Sequence, residues 1–211
     1  MPTCTQSLGI FLEDPDVIEF QKDSPLGGAI ATQDITLEGS IDEERLCEGR
    51  VIVWTDGACR HNQEARFRRA GAGVFYAKGS DRNQACALDG RQQSNQRAEL
   101  LAVVMVLRAD SRPVEIRTDS QWVHDGAKAW RKWRQRGWKG DHTDLWTELA
   151  ELLARRAEDN VLFTKVVGHA KPQQVRSGAV TLEDKEGNDA ADSLATSAAD
   201  AHCAPQPLVE Q

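Results

Sequence analysis

The sequence predicts a mixed α/β domain: five strands in one sheet, with helices on its faces. Three observations predict it. Short β-branched runs alternate with helical stretches after residue 93. Two of those runs, 51–55 and 114–118, each close on Thr-Asp. The runs at 70–77 and 84–88 are separated only by the turn residues Gly79, Ser80 and Asp81, which reads as a hairpin. The chain has 211 residues and is 40% apolar, enough for one domain with its own core. No apolar run approaches about 18 residues, so no membrane span is expected.

Charge divides the chain. The net charge is −7, yet residues 1–49 hold eleven acids against Lys22 and Arg45, so the remainder is mildly basic. Residues 1–49 read as an acidic, flexible N-terminal extension or partner-binding arm, with apolar patches at 8–12 and 30–37 that could dock a piece of it on the body. Residues 50–201 read as the folded body, and 202–211 as a short tail with two prolines. The start, MPTCTQS, lacks the basic and apolar regions of a secretion signal. The five cysteines are odd in number and form no CxxC pair, so they read as reduced thiols in an intracellular protein, expected as a monomer.

Each element has its own reason. Residues 51–54, VIVW, form a buried strand, with Asp56 at its end and Gly57 as the turn. The second and third strands complete an antiparallel meander. Residues 93–109 form a helix, with Leu100, Val103, Val104 and Leu107 on one stripe and Ser94 or Asn95 able to cap it. Glu99, one turn before Val103, is aimed at the sheet edge. Residues 114–118 form the fourth strand, ending at Asp119. Helical residues from 121 lead into AWRKWRQRGWKG, 129–140, whose five cations and three tryptophans include no acid. Residues 144–157 are an amphipathic helix, 161–167 a fifth strand, and 188–201 an alanine-rich last helix with Asp192 near its start.

The pattern thus gathers Asp56, Glu99, Asp119 and Asp192 at one sheet edge. Four carboxylates held together repel strongly. Hard divalent cations relieve that repulsion, and an oxygen-only donor set without a His or Cys cluster selects Mg²⁺, or Mn²⁺, over zinc. Two such ions, about 3.5–4 Å apart, suit phosphodiester hydrolysis.

The segments TDGAC (55–59), SNQRAEL (94–100), TDSQWV (118–123), GHA (168–170) and GNDAADSLA (187–195) resemble, in order, the signatures of type 1 ribonuclease H. The resemblance covers residues 49–201. It implies a five-stranded sheet of order 3-2-1-4-5, three antiparallel strands then two parallel. It also implies cleavage of the RNA strand of RNA/DNA hybrids, with 5′-phosphate and 3′-hydroxyl products. Asp56, Glu99, Asp119 and Asp192 match the four metal-binding acids, two ions per site, with Asp56 bridging. His169 matches the histidine that handles protons or product release. Asn188 matches an asparagine that opens the last helix. Asn95 and Gln121 match contacts to the RNA minor groove, where the 2′-OH is read. Asn62 and Ser94 fall near a pocket for a DNA phosphate. The 129–140 stretch resembles the family's basic protrusion. There Arg131, Lys132, Arg134, Arg136 and Lys139 neutralise DNA phosphates, and Trp130 and Trp138 supply aromatic contact.

Two stretches depart from the family's pattern. The loop after the first strand, HNQEARFRRAG, is long, and His169 and Asn188 lie nineteen positions apart where the family needs few. The inserted segment reads as a flexible loop that lets His169 roam. The alternatives are a non-catalytic hybrid-binding module and the ribonuclease H domain of a retroelement polyprotein.

Overall fold

The computed structural model describes residues 43–202. The expectations for 1–42 and for the tail from 203 lie outside the described residues. In chain order the elements are β1 (Leu46–Cys47), β2 (Arg50–Arg60), β3 (Arg69–Phe75), β4 (Gln84–Ala87), α1 (Asn95–Ala109), β5 (Val114–Thr118), α2 (Gln121–Lys128), α3 (Trp130–Arg136), α4 (Thr143–Ala154), β6 (Val161–Lys165), α5 (Pro172–Arg176) and α6 (Leu182–Asp200). They form one sheet of order β4-β3-β2-β5-β6, with β1 beside β2. The first four strands are antiparallel; β2, β5 and β6 run parallel. Apart from β1, this is the expected 3-2-1-4-5 sheet. β1 makes six strands rather than five, and it brings residues assigned to the extension into the fold. Glu44 reinforces it, its carboxylate 2.6 Å from the Arg112 guanidinium.

The main core lies between the sheet and α1, α2 and α4. Val53, Val74, Leu100, Val103, Val104, Ile116 and Leu149 are fully buried there. Each such side chain contributes roughly 1.5–3 kcal/mol through removal from water. On the opposite face α6 packs on β3 and β2. The glycines of β3 make that close approach possible: a Cβ on Gly73 would meet the Ala191 carbonyl and the Ala195 amide, and one on Gly71 would meet Ala195 and Ala199.

Three expectations change. β2 does not end at Asp56; it runs on to Arg60 because β3 supplies partners from Asp56↔Gly73 to Arg60↔Arg69. Gly57 is therefore not a turn. Its missing side chain admits the start of α1, since a Cβ there would strike the Glu99 amide and Ala98. The inserted segment is not a loop either. Pro172 opens α5, Gly178 (φ +74°) follows it, and α6 begins at Leu182, six residues before the expected 188. Thr181 caps α6 by accepting the Asp184 amide. Asp184 is then held 2.7 Å from the Arg117 guanidinium and accepts from the Trp54 indole at 3.4 Å. Gly187 lies against the Trp54 ring.

Gly73→Ala should lower the free energy of unfolding by about 2 kcal/mol, because the obstruction is α6 backbone rather than a movable side chain. Urea denaturation followed by circular dichroism measures it.

Candidate active site

Parallel register brings the first two acids together. The β2–β5 pairing closes at Thr55↔Thr118, so Asp56, within β2, and Asp119, just past the end of β5, each stand one residue beyond it. Glu99 joins them from α1, whose backbone rests on Gly57. Asp192 comes from α6, immediately after Ala191, whose carbonyl overlies Gly73, the partner of Asp56. Asp192 lies in the interior of α6 rather than near its start, because the helix begins so early.

Asp56 is 5% exposed. Burial, together with the charges of Asp119, Asp192 and Glu99, pushes its carboxyl up to about 8; the Gly57 N–H, 2.7 Å away, opposes that rise. Burial raises the Glu99 carboxyl too, and Asp119 adds to the rise, whereas hydrogen bonds from Ser120 and Asn95 and the charge of Lys165 hold it down. The four acids therefore share one electrostatic site. Among the described residues no three His, Cys, Asp or Glu side chains converge into a metal-holding group. Glu99 is turned to Ser120 and Asn95, and Asp56 to the Gly57 amide. These are the local hydrogen bonds that mutually repelling carboxylates take. A hard divalent cation suits the set: the donors are all oxygen, and the buried Asp56 carboxyl, raised by burial and by its neighbours' charges, would regain its charge beside a cation.

The other expected residues divide into groups. Asn95 touches the acids directly, donating to Glu99 at 2.7 Å. Ser94 caps α1 through the Arg97 amide, and its Oγ lies 3.3 Å from His142 Nε2. Gln121 is exposed and donates to Asp125. Asn62 is exposed, and its carbonyl accepts from Arg68. His169 is exposed with φ +47°, and Gly168 before it lies against the Asp119 carboxylate. On and after α3, Lys132, Arg134, Arg136 and Lys139 are exposed; Arg131 sits over the Trp130 ring at 4.8 Å and pairs with Glu158 at 3.0 Å.

Two assignments are corrected. Trp138 is framework: its ring stacks on Trp146 (4.7 Å) and on Trp133 (5.8 Å), so its faces are taken. Asn188 neither opens α6 nor meets solvent. It is 1% exposed, six residues inside a helix that Thr181 caps.

Sequence reasoning missed Lys165 and Ser120, both of which act on Glu99. Lys165 ends β6 opposite Thr118, so a third parallel strand reaching the same edge was the available signal. It also missed the Arg97–Asp144 pair, which ties α1 to α4 at 2.5 Å.

Fold and site together define a class: an α/β domain presenting clustered carboxylates at the edge of parallel strands, beside a cationic helix. The RNase H family model matches residues 48–200. A Ribonuclease H from Bordetella pertussis is 36% identical over 160 residues, covering 71% of this chain and 95% of its own. A Ribonuclease HI from Caulobacter vibrioides is 35% identical over 144 residues, covering 64% and 91%. Among solved structures, a type 1 RNase H with the type 2 active-site motif is 26% identical with a TM-score of 0.53, covering 75% of each chain. The PFV RNase H domain, 24% identical, shares the fold with a TM-score of 0.54 over 70% of this chain and 93% of its own. The chain belongs to the RNase H family of ribonucleases.

The raised Asp56 carboxyl sets a pH dependence. The folded state holds that proton more tightly than the unfolded state, so its contribution to stability falls as pH rises from about 4 to about 8. In chelator, Asp56→Asn should therefore melt above the parent, with little difference near pH 4 and the largest difference above pH 8. Thermal melts across that range check it.

Proposed function

We propose that this chain is an endoribonuclease that hydrolyses the RNA strand of RNA/DNA hybrids and leaves 5′-phosphate and 3′-hydroxyl ends. The observation that carries the reading is one electrostatic site: burial lifts the Asp56 carboxyl to about 8, and the charges of Asp119, Asp192 and Glu99 add to that rise. Such repulsion is a burden on folding and serves a protein that binds cations there.

In this reading Asp56, Glu99, Asp119 and Asp192 would hold Mg²⁺ or Mn²⁺, two ions per site. When bound, such ions would supply Lewis acidity toward a water and a scissile phosphate. The chain's own groups do the rest. Asn95 fixes Glu99 through its amide, and with Gln121 it reads the RNA minor groove, where the 2′-OH separates RNA from DNA. His169, exposed beside the glycine that contacts Asp119, carries a proton or eases product departure. Ser94 and Asn62 hold a DNA phosphate. Lys132, Arg134, Arg136 and Lys139 track the DNA strand, with Trp130 against its sugars.

Cleavage of end-labelled hybrid, duplex RNA, duplex DNA and single strands in Mg²⁺ tests the reading. The hybrid should be cut within its RNA strand and the others spared. Equal rates on all would refute the specificity, and hybrid binding without cleavage would point to a binding module. Asp56→Asn should lower kcat by about a hundredfold or more. Arg134→Ala combined with Arg136→Ala should raise KM at unchanged kcat and flatten the salt dependence by about one unit of slope per lost phosphate contact, measured by initial rates across a salt series.

A further inference from the structure

A groove of about 180 Å³ lies at the base of α3, where the ends of α2 and α4 meet β6; Lys128, Trp130, Arg131, Leu153, Arg156 and Leu162 line it. Its walls are apolar, and on its rim the cations Lys128, Arg131 and Arg156 outnumber the acid Glu158, which pairs with Arg131. β6 is the edge strand of the sheet, and Leu162 on it is 40% exposed. α3 continues the basic surface away from the groove, with no acid of its own.

The described chain enters the fold beside this groove. Glu44 pairs with Arg112, whose carbonyl accepts from Arg156 of the groove wall at 3.2 Å. Arg50 donates to the Asp159 carbonyl at 2.9 Å, next to Glu158, which pairs with Arg131. Residues 1–42 therefore join the domain within a few side chains of the groove. They hold eight acids and a single cation, Lys22. Within them Leu8, Ile10, Phe11 and Leu12 directly precede Glu13, Asp14, Asp16 and Glu19, an apolar run followed by an acidic one. Reach is ample. The twenty-odd residues between Glu19 and Glu43 extend up to roughly 80 Å, against a radius of gyration near about 15 Å for a domain of this size.

We propose that residues 8–19 dock in cis, the apolar run in the groove and the acids on the basic face of α3, where they compete with nucleic acid. The competition rests on the functional reading above, whereas the docking does not. The segment offers the same partner chemistry as a phosphate backbone, carboxylates opposite Lys128, Arg131 and Lys132, and its tether raises its local concentration. It acts as a salt-sensitive brake on substrate binding that leaves the carboxylate site untouched.

Zero-length carbodiimide coupling of the full chain in chelator, read by mass spectrometry of the monomer, tests the docking without using activity. Amide links from Glu13, Asp14, Asp16 or Glu19 to Lys128 or Lys132 are expected, and added RNA/DNA hybrid should abolish them. Links only to distant lysines such as Lys78 or Lys185, links only in dimers, or no links overturn docking in cis. Links that survive saturating hybrid overturn the competition. The full chain carrying Glu13→Gln, Asp14→Asn, Asp16→Asn and Glu19→Gln should bind hybrid about three- to tenfold more tightly at low salt, with the gap closing as salt rises. Unchanged affinity overturns the brake. If neither chain binds hybrid, the functional reading falls, and the coupling result alone decides the docking.

Discussion

Like charge gathered in a dry place is the constraint on which this structure turns. Asp56 is nearly inaccessible, and three further carboxylates act on it from β5, α1 and α6. A fold left to minimise its own free energy would separate them. Instead each acid is delivered by an element fixed through contacts elsewhere, so the repulsion is borne by the scaffold. Val53, Ile116 and Val74 anchor the strands, and Leu100, Val103 and Val104 anchor α1. The apolar core thus offsets a local electrostatic cost, and the offset is possible because the cost is confined to one edge.

Backbone proximity does the positioning. Gly57 lets α1 rest on β2, Gly73 and Gly71 let α6 rest on β3, and Gly168 admits the Asp119 carboxylate. In each case the residue faces something that a methyl group would displace. The acids beside these contacts inherit their precision from main chain rather than from long, adjustable side chains.

Much of this was legible in the sequence because it depends on local pattern. The repeated Thr-Asp at the ends of β-branched runs announced the parallel pair, and the apolar stripe of α1 placed Glu99 correctly. What was illegible depends on distant partners. Gly57 looked like a turn because nothing in its neighbourhood reports that α1 will press on it. The long segment after His169 looked like a loop because the grip on Asp184 comes from Arg117 and Trp54, far away in sequence. Asn188 looked like a cap for the same reason: the true cap, Thr181, lies seven residues earlier, at the start of the helix that carries that grip. Trp138 looked like a binding residue because Trp146, which stacks on it, lies on another element. Two-residue β1 carries almost no pattern of its own and is defined by its pairing with β2.

The lengthened α6 has a mechanical consequence. One rigid rod runs from the clamp at Asp184 across Trp54 to the two notches in β3, with Asp192 between them. Sliding it by a single residue would turn it about 100°, lift its small alanines out of both notches and swing Asp192 away from the other acids. Clamp and notches act like the detents of a ratchet, so the last acid is either seated in full or not seated at all.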